Sequence, residues 1–170
     1  MPKGLKPTSG VITVSSDIAE SAADTFTSEK VDLQLNVLDR EVFVVLAIDL
    51  DVEAPANRTD SVTEMDLSLS TTERTSVGGI NRSNVLAHKK VRFSNVGDTC
   101  IAVTEYSSND TPHAQLEYIG VIATNDFYLN IKGTGNGSGT RGGNSRMWGY
   151  RAQADAATFA ALTQSELLSA

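Results

Sequence analysis

Cysteine, histidine, proline and aromatic residues are all scarce in this chain. Its 170 residues include one cysteine, two histidines and four prolines, and aromatic residues make up 6%. A disulfide framework needs paired cysteines and a structural zinc site needs about four Cys or His ligands, so we expect neither. No apolar run approaches the roughly 20 residues that span a bilayer. No apolar stretch follows Met1–Lys6, so we also expect no secretory signal.

Positive charge is outnumbered, with 14 Lys and Arg against 21 Asp and Glu and a formal net charge of −7. Binding to nucleic acid of any sequence depends on cations that neutralise phosphates, so strong direct binding is not expected. The one basic cluster runs from His88 to Arg92. Its alternation with Val91 and Phe93 indicates the solvated face of a strand, and a local contact to nucleic acid or an acidic partner is the alternative.

The dominant pattern along the chain has a period of two residues, as in half-buried strands. Residues 41–53 are apolar on both faces at first and alternate afterwards, which predicts a long strand whose middle is covered on both sides. Closely spaced short strands separated by turns predict an antiparallel sandwich rather than a βαβ fold. The predicted principal strands are 31–37, 41–53, 64–70, 89–94, 99–106, 115–124, 126–132 and 145–153, with a short opening strand at 11–14.

Two segments depart from the strand pattern. Residues 1–30 are small and polar, which predicts an N-terminal arm that precedes a single β-sandwich domain at 31–170. Residues 155–168 are rich in alanine and follow Asp155, a good capping residue, so they predict a short C-terminal helix. We expect this helix to pack on the sandwich or on a neighbouring subunit.

The most conspicuous motif is the glycine-rich segment Gly133–Gly143. A phosphate-binding loop needs Lys-Ser/Thr after its last glycine and a helix behind it, and neither is present. The segment therefore predicts a mobile hairpin connection with a turn at Asn136-Gly137. A contact loop at a subunit boundary is the alternative.

Three carboxylates, Asp49, Asp51 and Glu53, lie on one face of the predicted strand 41–53. Neighbours are about 7 Å apart by strand rise, a spacing that can serve glycoside hydrolysis or calcium binding. A solvated strand edge is the preferred interpretation, and a weak divalent-ion site is the alternative.

The lone cysteine, Cys100, lies beside Ile101 in an apolar strand, where cysteine is usually a small buried hydrophobe. Nothing in the sequence pairs it with His88 or His113 as a nucleophile. The Gly-x-Ser-x-Gly, HExxH and CxxC motifs do not occur. We therefore expect neither an enzyme nor a cofactor.

The aromatic residues considered for a ligand platform are Trp148 and Tyr150 of the predicted last strand, together with Tyr118, Phe127 and Phe43. Trp148 and Tyr150 share one face of that strand, and Arg146 and Ala152 continue the face. Packing in the core or at a subunit interface is the expected role, with a ligand platform as the alternative. The candidate assembly contacts are Trp148, Tyr150, Phe159, Leu162 and Leu167.

Two stretches carry a family resemblance. The run DFYLNIKGTGNGSGTRGGNSRMWGYRAQADAATFAALTQSELLS resembles the end of a single jelly-roll capsid protein of icosahedral viruses and phages. It has two long strands, a variable Gly/Ser/Asn loop between them and a closing helix. VDLQLNVLDREVFVVLAIDLDVEAP is similar to the opening strands of that fold. The resemblance implies an eight-stranded antiparallel jelly roll.

The leading functional hypothesis is thus a self-assembling capsid subunit that forms an icosahedral shell. Its expected partners are copies of itself and other virion proteins, and its expected location is the virion, after synthesis in the host cytoplasm without secretion. One alternative is a carbohydrate- or cell-surface-binding sandwich that uses Trp148, Tyr150 and the glycine-rich segment. The other is a phage tail-tube or shell-decorating protein.

Overall fold

The computed structural model describes residues 4–97, 100–107 and 116–168. Within these residues the chain forms ten strands, a short 3-10 turn at Val37–Asp39 and one helix, α1 (Ala156–Leu168). The strands are β1 (Leu5–Pro7), β2 (Ile12–Ala19), β3 (Thr27–Asp32), β4 (Glu41–Val52), β5 (Val62–Ser70), β6 (Val85–Val96), β7 (Cys100–Ser107), β8 (Gly120–Ile122), β9 (Asp126–Thr134) and β10 (Gly142–Ala154). No helix in the described part is long and apolar enough to cross a membrane.

The strands form two antiparallel sheets that face each other. In the first sheet β10 pairs with β4 and β4 with β8, while β1 and β2 pair with the other side of β10. The order in the second sheet is β3-β9-β5-β6-β7. Four strands of each sheet, in the orders β2-β10-β4-β8 and β3-β9-β5-β6, together have the arrangement of an eight-stranded jelly roll. β1 and β7 are additional strands. The predicted jelly-roll sandwich is thus confirmed.

One apolar core fills the space between the sheets. Its largest buried side chains come from both sheets, because alternate residues of each strand point inward. They include Phe43, Ile48 and Leu50 of the first sheet and Leu67 and Phe127 of the second. The outer face of the first sheet carries a second, smaller cluster under α1.

The long strand β4 is apolar on both faces, as the sequence predicted, and a bulge makes this arrangement work. Its register against β10 shifts so that Ala47 faces Trp148 while Val45 faces Gly149. The extra residue, Leu46, lets both Val45 and Ile48 belong to the main core. The last part of β4 then turns Asp49 and Asp51 outward.

The first 30 residues differ from the predicted arm. β1 and β2 both pair with β10, and β3 begins at Thr27, so this segment belongs largely to the sandwich. Its small Ser and Thr residues are compatible with an edge strand, and Ile18 at 3% exposure fills part of the core. The composition alone did not reveal this pairing, because an edge strand buries only part of its side chains.

Two of the predicted strands differ clearly from their expected bounds. The strand predicted at 31–37 ends at Asp32, since Gln34 adopts a left-handed φ of 53°. Leu33 and Leu35 remain buried, and both backbone N–H groups donate to Asn125. The strand predicted at 115–124 is described as a strand only over Gly120–Ile122, and Gln115 lies outside the described residues.

The glycine-rich segment is not a hairpin, which corrects the prediction. β9 belongs to the second sheet and β10 to the first, so the segment crosses between sheets. Asn136 is buried at 5% exposure, accepts a hydrogen bond from the Ala56 N–H at 2.8 Å and donates to the Glu64 carbonyl at 3.0 Å. The segment is therefore tied to the body of the sandwich.

Candidate assembly surfaces

Helix α1 closes one half of the outer face of the first sheet. Asp155 caps the helix as predicted, because its carboxylate accepts the N–H of Thr158 at 2.7 Å. Phe159 and Leu162 pack against a cluster on the outer face of the sheet. The members of that cluster are Leu5, Val42, Val44, Ala123, Ala152 and Ala154, with Tyr118, Val121 and Tyr150 beside them.

The end of α1 is held by a buried carboxylate. Glu166 is 8% exposed and accepts the backbone N–H groups of Ala123 and Thr124, each at 3.0 Å. Burial raises the pKa of Glu166 above its ordinary value, against the lowering effect of these hydrogen bonds. The contact fixes the helix to the connection between β8 and β9. Sequence reasoning missed it, because a lone Glu in a helix normally indicates a solvated position.

The five candidate assembly contacts therefore divide into two groups. Tyr150, Phe159 and Leu162 are at least half-buried within their own chain. Burial raises the pKa of Tyr150, and the negative charge of Glu117 adds a smaller increase. Trp148 is half-buried outside this cluster, with the Arg146 guanidinium 6.0 Å from its ring centre. Leu167 is 66% exposed and stays the strongest of the five as a predicted contact.

A polar hollow occupies the other half of the same outer face. Its volume is about 490 Å³, and the lining residues are Ser15, Ser16, Asp17, Asp49, Asp51, Asn144, Ser145 and Arg146. Glu53 is not part of the lining, and its carboxylate accepts the Gly142 N–H at 2.8 Å instead. Among the described residues, no group of three or more His, Cys, Asp or Glu side chains could hold a metal ion. The three carboxylates considered for a divalent-ion site, Asp49, Asp51 and Glu53, are therefore not gathered in one hollow.

The predicted ligand platform is not assembled either. Tyr150 lies under α1, whereas the glycine-rich segment ends at the start of β10. Eight residues of extended strand separate Gly142 from Tyr150, a distance of about 26 Å by strand rise. The hollow lies between these two places, so the three proposed elements do not share one compact surface.

The basic cluster of β6 is matched by carboxylates of the same chain. Lys90 contacts Glu64 at 2.7 Å and Asp66 at 3.2 Å, and His88 lies 3.2 Å from Asp66. Arg92 adds a longer contact to Glu64 at 3.5 Å. We call this set the ion-pair ladder. It covers the outer face of β5 and β6, as expected for a solvated strand face.

The ladder perturbs the titration of its members. Burial by itself would raise the pKa of Asp66, but hydrogen bonds from His88 and Lys90 and the charge of Lys90 bring it below its ordinary value. Burial would lower the pKa of Lys90, whereas Glu64 and Asp66 raise it overall. Both groups are therefore held in their charged forms.

Glu20 is a further structural residue that sequence reasoning missed. It is 4% exposed, and its carboxylate accepts the N–H of Gly133 at 2.6 Å and that of Arg141 at 3.1 Å. One carboxylate thereby binds both ends of the glycine-rich segment. No local sequence signal predicts this, because the partners lie more than 110 residues along the chain.

The residues considered and rejected for nucleophilic chemistry on the sequence alone are only partly described. Cys100 begins β7, but its side chain, like the whole of His113, lies outside the described residues. The remaining partner considered for it, His88, takes part in the ion-pair ladder.

The sequence matches no protein-family model and no curated protein at a significant level. Among solved structures, VP1 of the Trichodysplasia spinulosa-associated polyomavirus matches 88% of this chain and 99% of its own, with 7% identity and a TM-score of 0.39. A Desmodium yellow mottle tymovirus structure matches 91% of this chain and 95% of its own, with 11% identity and a TM-score of 0.34. The matched structures are viral capsid proteins, the family that the sequence resembles. At such low identities and TM-scores, the jelly-roll assignment rests on this chain's own strand order.

Proposed function

We propose that this protein is a structural capsid subunit that assembles with copies of itself into a closed icosahedral shell in the virion. The observation that carries the proposal is a jelly roll in which several apolar side chains of the described residues are exposed. Exposed apolar side chains lie at the end of α1 and along β7, among them Leu167, Leu168 and Val103. Jelly rolls occur in viral shells as well as in lectin domains and cupins, so the fold alone does not select the function.

Charge supports a shell role without direct genome packaging. The net charge is −7, and the cations of the ion-pair ladder already have carboxylate partners in the same chain. A surface of this kind gives phosphates little to bind. We therefore propose homomeric contacts, with other virion proteins as further partners, and a structural rather than an enzymatic role.

The test is electron microscopy of the purified protein, combined with light scattering over a series of salt concentrations. Closed particles of uniform size are the expected result. Rods or rings would instead indicate a tail-tube or shell-decorating role. A monomer of 18.1 kDa at every concentration and salt condition would overturn the proposal.

A further inference from the structure

β7 is the last strand at one edge of the second sheet. In the part of the chain that the structure describes, β7 pairs with β6, and no strand lies along its other edge. A free strand edge presents unpaired backbone N–H and C=O groups, which form a template for another strand. β7 has eight residues and is therefore long enough for a regular ladder.

The side chains on both faces of β7 are also exposed. All side chains from Ile101 to Ser107 are exposed, and Ile101, Val103 and Tyr106 are 48%, 63% and 53% exposed. Val103 pairs with Phe93, two residues along β6 from Val91, which packs against the main core. The core-facing side of the second sheet thus continues outward past the sandwich.

The first sheet is too short at this end to cover that surface. Its edge strand β8 has three residues, whereas β6 has twelve. Apolar side chains on the core-facing side of β6 and β7 therefore extend beyond the part of the second sheet that the first sheet covers. An apolar surface that continues a core is a common feature of interfaces between subunits.

The β7 edge carries little net charge. Its one charged side chain, Glu105, is paired with Lys89 of the same chain at 3.0 Å. β3, at the opposite edge of the second sheet, carries Glu29, Lys30 and Asp32 in six residues. In a chain of net charge −7, a neutral edge is a surface that two copies can bring together without repulsion.

We propose that β7 pairs with β7 of a second copy, antiparallel and about a two-fold axis that falls between Ile101 and Thr104. The proposal rests on the capsid function and names one contact through which that assembly occurs. An antiparallel edge is complementary to an identical edge, so one surface serves both copies. The pairing joins two five-stranded sheets into one continuous sheet and places Ile101 and Val103 of both copies side by side.

Cysteine cross-linking tests the contact directly. Single cysteines are placed at Ile101, Ala102, Val103 and Thr104 in a Cys100→Ser background, and Leu38→Cys, at a site 95% exposed, is the control. A two-fold axis places a residue next to the same residue of the second copy only when that residue lies on the axis. We expect one position to form a disulfide-linked dimer under mild oxidation at least tenfold faster than the control, with rates falling on both sides. Equal rates at all positions would overturn the proposal.

Val103→Lys tests the contact without a new covalent bond, since it places two lysines near the axis. Val11→Lys is its matched control, because Val11 and Val103 are both 63% exposed. We expect Val103→Lys to raise the concentration needed for assembly at least tenfold and Val11→Lys to leave it unchanged. Unfolding curves of both variants establish that each is folded.

The outcomes separate this contact from the capsid proposal. If the unsubstituted protein forms particles but no cysteine cross-links and Val103→Lys assembles normally, the β7 contact is wrong and the capsid function stands. If no particles form but one cysteine cross-links, the contact stands and the capsid function is wrong. Loss of assembly in Val103→Lys without cross-linking would mean that β7 binds a different surface of the second copy, which also overturns the two-fold pairing.

Discussion

Apolar side chains are covered on the outer face of the first sheet but exposed at the β7 end of the second sheet. On the first sheet, α1 returns over Val42 and Val44 and buries them under Phe159 and Leu162. At β7, Val103 stays exposed. Apolar side chains of β4 are covered by the helix, whereas those of β7 are exposed.

This difference separates side chains that stabilise the subunit from those that are free to join subunits. An apolar residue with an intramolecular cover contributes to the free energy of unfolding of the monomer. An exposed one contributes little until a partner covers it. Substitutions on the closed side should therefore change stability, whereas substitutions at β7 should change association.

The largest expected effect is that of Gly149→Ala. A Cβ at this position would overlap the Val44 carbonyl oxygen and the Phe43 ring, one being backbone and the other a buried core side chain. We expect a loss of about 3 kcal/mol in the free energy of unfolding, measured by denaturant titration. Gly139→Ala is the control, since nothing lies within 4 Å of its Cβ position. Equal stability of the two variants would contradict the close packing at Gly149.

Glu20→Ala should come next. It leaves the buried N–H group of Gly133 and the half-buried one of Arg141 without their acceptor, at a cost of about 2 kcal/mol. Glu29→Ala, at an exposed site on β3, should change the free energy of unfolding very little. Faster amide hydrogen exchange at Gly133 and Arg141 in Glu20→Ala would identify the lost bonds. Unchanged exchange there would show that the carboxylate does not hold the glycine-rich segment.

Phe159→Ala weakens the helix cover of the first sheet. Because Phe159 is only half-buried, we expect a loss of about 1.5 kcal/mol, below the range of fully buried phenylalanines. Leu168→Ala, at 79% exposure on the same helix, should leave stability unchanged. Thermal unfolding of both variants measures the difference. A larger effect at Leu168 would mean that the exposed end of α1 is covered in the protein as purified.

Asp66→Asn should have the smallest effect, about 1 kcal/mol or less, because the ion-pair ladder is in partial contact with solvent. The folded state lowers the pKa of Asp66, so its contribution is present above the ordinary value of 3.8 and is lost as the pH falls through the folded pKa. Stability of the two proteins should therefore converge in acid and at high salt. A difference that persists at low pH would contradict the ladder's electrostatic role.

The sequence predicted much of the fold because strand periodicity and helix capping are local signals. The bounds of β4, the face shared by Trp148 and Tyr150, and the Asp155 cap follow from residues close in the chain. The structures of residues 1–30, predicted as an arm, and of residues 133–143, predicted as a hairpin, do not follow from such local signals, because each depends on distant strands. The candidate contacts at Phe159 and Leu162 were identified as apolar, but their partner was the same chain.

By itself, the sequence determined the β-rich class, the closing helix and the acidic charge, because each follows from composition or from spacing within a few residues. The tertiary structure decided which apolar faces are covered. β8 has only three strand residues, and α1 returns to one sheet, so exposure depends on strand order and on the length of the opposing sheet. Neither quantity is encoded within a local window, which is why the exposure of the β7 side chains became visible only in the folded chain.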